Sequence, residues 1–94
     1  MNNEVKRVLH LSVYAKWYLM QESGEKTEEY RVISPYWKRR LESECKQRTY
    51  THLLLRYGYT TRYFVRRIIE IRKGRGNPKW GAPIDQDVYI IKHE

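Results

Sequence analysis

Residues 62–72, RYFVRRIIEIR, constrain the fold of this chain more than any other stretch. In a strand, alternate side chains share a face. Tyr63, Val65, Ile69 and Ile71 then point one way, with Arg67 interrupting them, while Phe64 and Ile68 point the other. A flat sheet with one solvated side has no use for apolar residues on both faces of a strand. The pattern predicts a curved or bulged strand of the kind that closes a barrel. Its partner is read at residues 50–57, YTHLLLRY, with Gly58, Tyr59, Thr60 and Thr61 forming a hairpin-length turn between them.

The remaining elements fit around that hairpin. VKRVLHL, residues 5–11, reads as a first strand with Val8 and His10 inward. Ser12 stands where an N-cap belongs, and Val13, Trp17 and Met20 recur at helical spacing up to Glu22, with Gly24 as the left-handed stop. On that stripe Trp17 reads as core in preference to a ligand platform. KTEEYRVI, residues 26–33, forms a second strand with Thr27, Glu29, Arg31 and Ile33 on one face and Lys26, Glu28, Tyr30 and Val32 on the other. Ser34 before Pro35 then starts a second helix, expected over residues 35–46, with Trp37, Leu41 and Cys45 one turn apart. Its Lys38, Arg39 and Arg40 are either a solvated face or phosphate contacts. Residues 73–87, KGRGNPKWGAPIDQD, lack periodicity and read as a long loop before a last strand, VYIIK, at 88–92. The order is strand, helix, strand, helix, two strands, loop, strand. That α+β order suits a small five-stranded barrel plugged by two short helices.

With 94 residues there is material for a single domain and a thin core. Nineteen Lys and Arg against eleven Asp and Glu give +8 at pH 7, more than solubility requires, which favours a polyanionic partner. One cysteine, Cys45, excludes an internal disulfide, and the absence of a CxxC or Cys/His cluster excludes a zinc site. With no signal-peptide core at MNNEVKRV and no long apolar run, the expectation is a cytoplasmic monomer with no cofactor, no metal and no membrane span.

Charge is unevenly placed. Residues 62–79 carry Arg62, Arg66, Arg67, Arg72, Lys73, Arg75 and Lys79 against one acid, Glu70, whereas residues 22–29 carry Glu22, Glu25, Glu28 and Glu29 against Lys26. A basic arm beside an acidic elbow is the arrangement expected where phosphate and a base edge are held together. Tyr63, Phe64 and Trp80 interleave the basic arm, a combination that grips single strands. Trp80 either clamps a ligand or pins its loop to the barrel. GRG at 74–76 has neither the length nor the helix of a phosphate loop, and His10, His52 and His93 are scattered, which points to structural or solvated roles.

Within SGEKTEEYR, Gly24, Lys26, Glu29 and Arg31 match GxKxxExR, and this resembles the signature of ASCH domains. GRGNPKWGAP and VYIIK look like later parts of short ASCH-like proteins of bacteria and phages, so the resemblance spans most of the chain. It implies a PUA-like barrel of five to six strands with two short helices, and a cleft beside the signature that binds RNA. It also implies that Lys26, Glu29 and Arg31 are cleft residues. Some members of the family are ribonucleases or amidohydrolases of acylated cytidine. The amidohydrolase branch has a threonine nucleophile where this chain has Glu29.

The expected function is therefore binding of RNA, single-stranded nucleic acid or a nucleotide-like ligand. Lys26, Glu29, Arg31, Arg66, Arg72, Lys73, Arg75, Lys79 and Trp80 are the candidate contacts. One alternative is a small hydrolase, a ribonuclease or a modified-nucleoside amidohydrolase, with Lys26 and Glu29 as acid and base. Another is a phage or host protein-interaction module. The structural alternative for Glu29 and Arg31 is an ion pair across the barrel mouth. By strand alternation Lys26 lies on the opposite face from Glu29, so a joint site requires Lys26 to precede the regular strand.

Overall fold

A computed structural model describes residues 6–42 and 50–94 of the chain. The elements are β1 (Val8–Val13), α1 (Ala15–Glu22), β2 (Glu28–Val32), α2 (Pro35–Leu41), β3 (His52–Tyr57), β4 (Tyr63–Arg75) and β5 (Asp87–His93), with a 3₁₀ turn over Pro78–Trp80 before β5. The five strands form one sheet in the order β1-β3-β4-β5-β2, curled into a half-barrel and accompanied by the two helices. Among the described residues β1 pairs with β3 in parallel, and the β3–β4, β4–β5 and β2–β5 pairs are antiparallel.

The two-faced apolar pattern of β4 is resolved by a bulge. Ile68 pairs with His93 and Glu70 with Lys92, leaving Ile69 as the extra residue. The bulge reverses the inside-outside phase, as a one-residue insertion must. Phe64 and Ile68 before it and Ile71 after it consequently all pack on the core, whereas Tyr63, Val65 and Ile69 are exposed. Leu9, Leu11, Val13, Tyr18, Leu53, Leu55 and Ile91 form the centre of that core. β4 also runs three residues beyond its expected end, so Lys73, Gly74 and Arg75 belong to a strand paired with β5.

The first strand differs from expectation in phase. Leu9, Leu11 and Val13 point inward and His10 is exposed, with Val8 half-buried. β1 continues through Ser12 and Val13, which pair with Arg56 and Tyr57, so Ser12 is not a helix cap. Helix α1 starts at Ala15 after Tyr14, which makes no side-chain cap, and its buried residues are Tyr18 and Gln21. Tyr18 sits edge-on to Tyr57 and Phe64, with centroids 5.1 and 5.0 Å away. Trp17 is half-buried and lies outside the core.

The punctuation residues behave as their chemistry dictates. Gly24 takes φ +90° and ends α1, and the Lys26 amide donates back to the Met20 carbonyl at 2.9 Å. The Ser34 hydroxyl accepts from the Trp37 amide at 3.3 Å with Pro35 in the first turn of α2. Trp37 and Leu41 pack on the core; Cys45, expected on the same stripe, lies outside the described residues. Among the described residues, no helix is long and apolar enough to cross a membrane.

Candidate functional site

β1 and β2 are the two edges of the half-barrel, and the seam between them is open. Arg31 of β2 spans it by donating from Nη2 to the Ser12 carbonyl of β1 at 3.4 Å. Beside this bridge lies a cleft of about 380 Å³, a size typical of small-ligand sites. Lys26, Glu29 and Arg31 line it together with the rings of Trp17, Tyr30 and Trp80.

The convergence of the three charged residues follows from where pleating begins. β2 starts at Glu28, so Lys26 lies in the turn after Gly24 and is free of strand alternation. Its side chain folds back so that Nζ stands 3.3 Å from Glu29 Oε1 and donates to the Glu28 carbonyl. Glu29 Oε2 meets Arg31 Nη2 at 2.8 Å. Glu29 is thus a carboxylate between two cations.

Burial sets the electrostatics. Lys26 is 1% exposed and Glu29 4%, whereas the Arg31 side chain keeps 24% of its surface open. Desolvation pushes the Lys26 ammonium below its ordinary pKa, and the neighbouring Glu29 carboxylate opposes that shift. Two rings also face the ammonium, Tyr30 at 4.9 Å and Trp17 at 5.8 Å from centroid to Nζ. Lys26 is therefore a largely enclosed part of the cleft wall, and Arg31 is the more open of the two cations. Among the described residues, the buried Arg31 Nε has no hydrogen-bond partner.

A second tier orients the carboxylate. Gln21 donates from Nε2 to Glu29 Oε1 at 3.2 Å, and its Oε1 lies 2.8 Å from His93 Nε2. A carboxylate only accepts, so the amide orientation is fixed and His93 Nε2 must be the donor. Gln21 and His93 are 1% and 2% exposed, and desolvation lowers the imidazole's pKa. Neither residue stood out in the sequence. The signals were the glycine stop, which folds the last turn of α1 onto the start of β2, and the antiparallel β2–β5 pairing that brings His93 alongside.

The glycine-proline loop forms the opposite wall. Tyr30 donates to Glu28 Oε1 at 2.6 Å and accepts from the Asn77 amide at 2.9 Å, and its phenol pKa is raised, first by burial and then by Glu28. A Cβ on Gly76 would lie 2.6 Å from Ala82 Cβ and 2.7 Å from the Tyr30 ring, so the loop can press on Tyr30 only as glycine. Gly81, at φ +95°, lies against Trp17, where a Cβ would meet the indole at 2.9 Å. Trp80 is at once a cleft wall and part of a pinned loop. Trp17, expected in the core, is the facing wall.

The basic arm is elsewhere. Arg66 donates to the Glu22 carbonyl at 3.3 Å and covers Phe64. Arg72 lies 3.9 Å from Glu28 and 3.7 Å from Glu70, Lys73 lies 3.0 Å from Glu42, and Arg75 reaches Asp85 and Asp87 at 3.2 and 2.9 Å. None of these four, nor Lys79, lines the cleft. The acidic elbow and basic arm partly neutralise each other through Glu22–Arg62 at 2.7 Å and Glu28–Arg72. No group of three or more metal-ligating side chains occurs among the described residues.

In comparisons with known proteins, no family model, no curated protein and no solved structure matches this chain.

Proposed function

We propose that this chain is an ASCH-like module of PUA-like fold that binds RNA or single-stranded nucleic acid by taking a base into the cleft beside Lys26, Glu29 and Arg31. The observation that carries the reading is that these three signature residues share one cleft with Trp17, Tyr30 and Trp80. Aromatic walls accept the face of any base, at roughly 1–3 kcal/mol per stacked base. Glu29 offers an acceptor to an exocyclic amine, held in place by Lys26 and Gln21. Arg31 carries a guanidinium whose side chain keeps 24% of its surface open, enough to meet a phosphate. The +8 charge supplies the longer-range attraction.

The test is a fluorescence titration with a short single-stranded RNA at 50 and 200 mM salt. Affinity is expected to fall steeply with salt. Arg31→Ala should weaken binding by at least about tenfold, the scale of one charge-assisted hydrogen bond, and Arg39→Ala on α2 by much less. Absence of binding to both RNA and single-stranded DNA at low salt refutes the reading.

One observation favours a second reading. A buried lysine with a depressed pKa is a usable base, and Lys26 stands 3.3 Å from a carboxylate, as a small ribonuclease or acyl-cytidine hydrolase would need. Incubation with labelled RNA and with acylated cytidine, beside Lys26→Met, decides it. Turnover lost in the variant supports a hydrolase, and turnover that persists in it points to contamination.

A further inference from the structure

We propose that the site takes two consecutive nucleotides, with Arg31 at the phosphate that joins them. This rests on the reading of the cleft as a base-binding site. A second cavity, of about 460 Å³, adjoins the first along the β1–β2 seam and shares Ser12, Tyr30 and Arg31 with it. The first is lined on β1 by Ser12 and Val13 and by the adjoining Tyr14, the second by His10, Leu11 and Ser12. That offset of two residues is about 7 Å along a strand. The two cavities are therefore neighbours on the scale of a single nucleotide step.

The chemistry of the second cavity repeats that of the first. Its far wall is Tyr36 and Trp37, packed edge-on with centroids 4.9 Å apart. Tyr36 is half exposed, and the Arg40 guanidinium covers its ring at 4.4 Å. A base entering there meets an aromatic surface already flanked by a cation. Between the cavities stands Arg31, bound to Glu29 Oε2 and the Ser12 carbonyl, its guanidinium carbon 5.7 Å from the Trp37 ring. A phosphodiester between two bases would meet the open part of this guanidinium, whose side chain keeps 24% of its surface exposed, and arginine commonly binds phosphate in this way.

Titration calorimetry should compare the four nucleoside 5′-monophosphates with the four homodinucleoside monophosphates, on the wild type and on Tyr36→Ala. Tyr36 is too exposed for its loss to unfold the chain. At least one dinucleotide is expected to bind about fivefold or more tighter than its mononucleotide, the low end of one added stacking contact. Tyr36→Ala should abolish that gain and leave mononucleotide affinity unchanged. Mononucleotide binding with no dinucleotide gain overturns the two-nucleotide site and leaves the base cleft standing. A gain that survives in Tyr36→Ala also overturns it, by locating the second base elsewhere. No binding of either ligand class overturns both readings.

Discussion

Glu29→Gln tests the electrostatics of the site most sharply. The substitution keeps the side chain's shape and the Gln21 contact but removes the charge that faces Lys26 at 3.3 Å and Arg31 at 2.8 Å. Lys26, 1% exposed, would keep the Glu28 carbonyl, two ring faces and a neutral amide oxygen in place of the carboxylate, with no opposite charge beside it. Removing one partner of a buried pair costs about 3–5 kcal/mol. A ceiling comes from proton release. From an ordinary 10.5, leaving as the neutral amine at pH 7 costs at most about 5 kcal/mol, at ~1.36 kcal/mol per pH unit. Arg31, a quarter exposed, adds little. A loss of about 3 kcal/mol at pH 7 is expected by urea unfolding, against a total of roughly 5–15 kcal/mol for a domain.

The pH dependence gives that loss a distinguishing sign. With Glu29 gone, Lys26's folded pKa falls further below its unfolded value of 10.5. Between those values the unfolded chain binds the extra proton, so stability rises with pH. The variant should recover part of its loss between pH 7 and 9.5, more than the wild type gains, and adding Lys26→Met should restore stability at pH 7. A loss below about 1 kcal/mol, equal at both pH values, would refute a buried charged Lys26–Glu29 pair.

Three further outcomes are expected. Gly76→Ala should destabilise by about 1–3 kcal/mol, because the added methyl meets both Ala82 and Tyr30, and thermal unfolding with near-ultraviolet dichroism of the aromatic cleft checks it. Ser34→Ala should cost about 1 kcal/mol in urea unfolding by removing the N-cap acceptor of the Trp37 amide. Burial holds the His93 imidazole below 6.5, so the wild type should lose stability as pH falls from 6.5 toward the folded value, where the unfolded chain alone takes the proton. His93→Gln should flatten the thermal midpoint between pH 7.5 and 5.5, and an unchanged slope removes His93 as its source.

What the sequence made legible was local. Gly24, Ser34-Pro35 and the Gly58 turn mark boundaries through backbone chemistry that does not depend on the fold, and the two-faced pattern of β4 pointed to a curved or bulged strand, of which the bulge is what formed. The phase of β1 was hidden because Val13 reads equally as the first apolar residue of a helix; assigned to the strand, it completes the set Leu9, Leu11 and Val13. Lys26, Glu29 and Arg31 were visible as a motif, and their meeting depended on Lys26 preceding the pleat. Gln21, Trp17 and His93 were not legible as site residues, since packing between elements alone brings Trp17 to the cleft wall, Gln21 onto Glu29 and His93 onto Gln21 behind it. The basic arm was legible as charge but not as pairing, because its acids Glu28, Glu42, Asp85 and Asp87 arrive from other elements.

The central claim is that nucleic acid enters the aromatic cleft and does not merely coat the basic arm. The direct measurement is the movement of the Trp17 and Trp80 indole N–H resonances in heteronuclear NMR on adding single-stranded RNA, beside the amides of Lys73, Arg75 and Lys79. Large shifts at both indoles, abolished by Arg31→Ala, are the predicted result. Shifts confined to Lys73, Arg75 and Lys79, with both indoles unmoved, would contradict it.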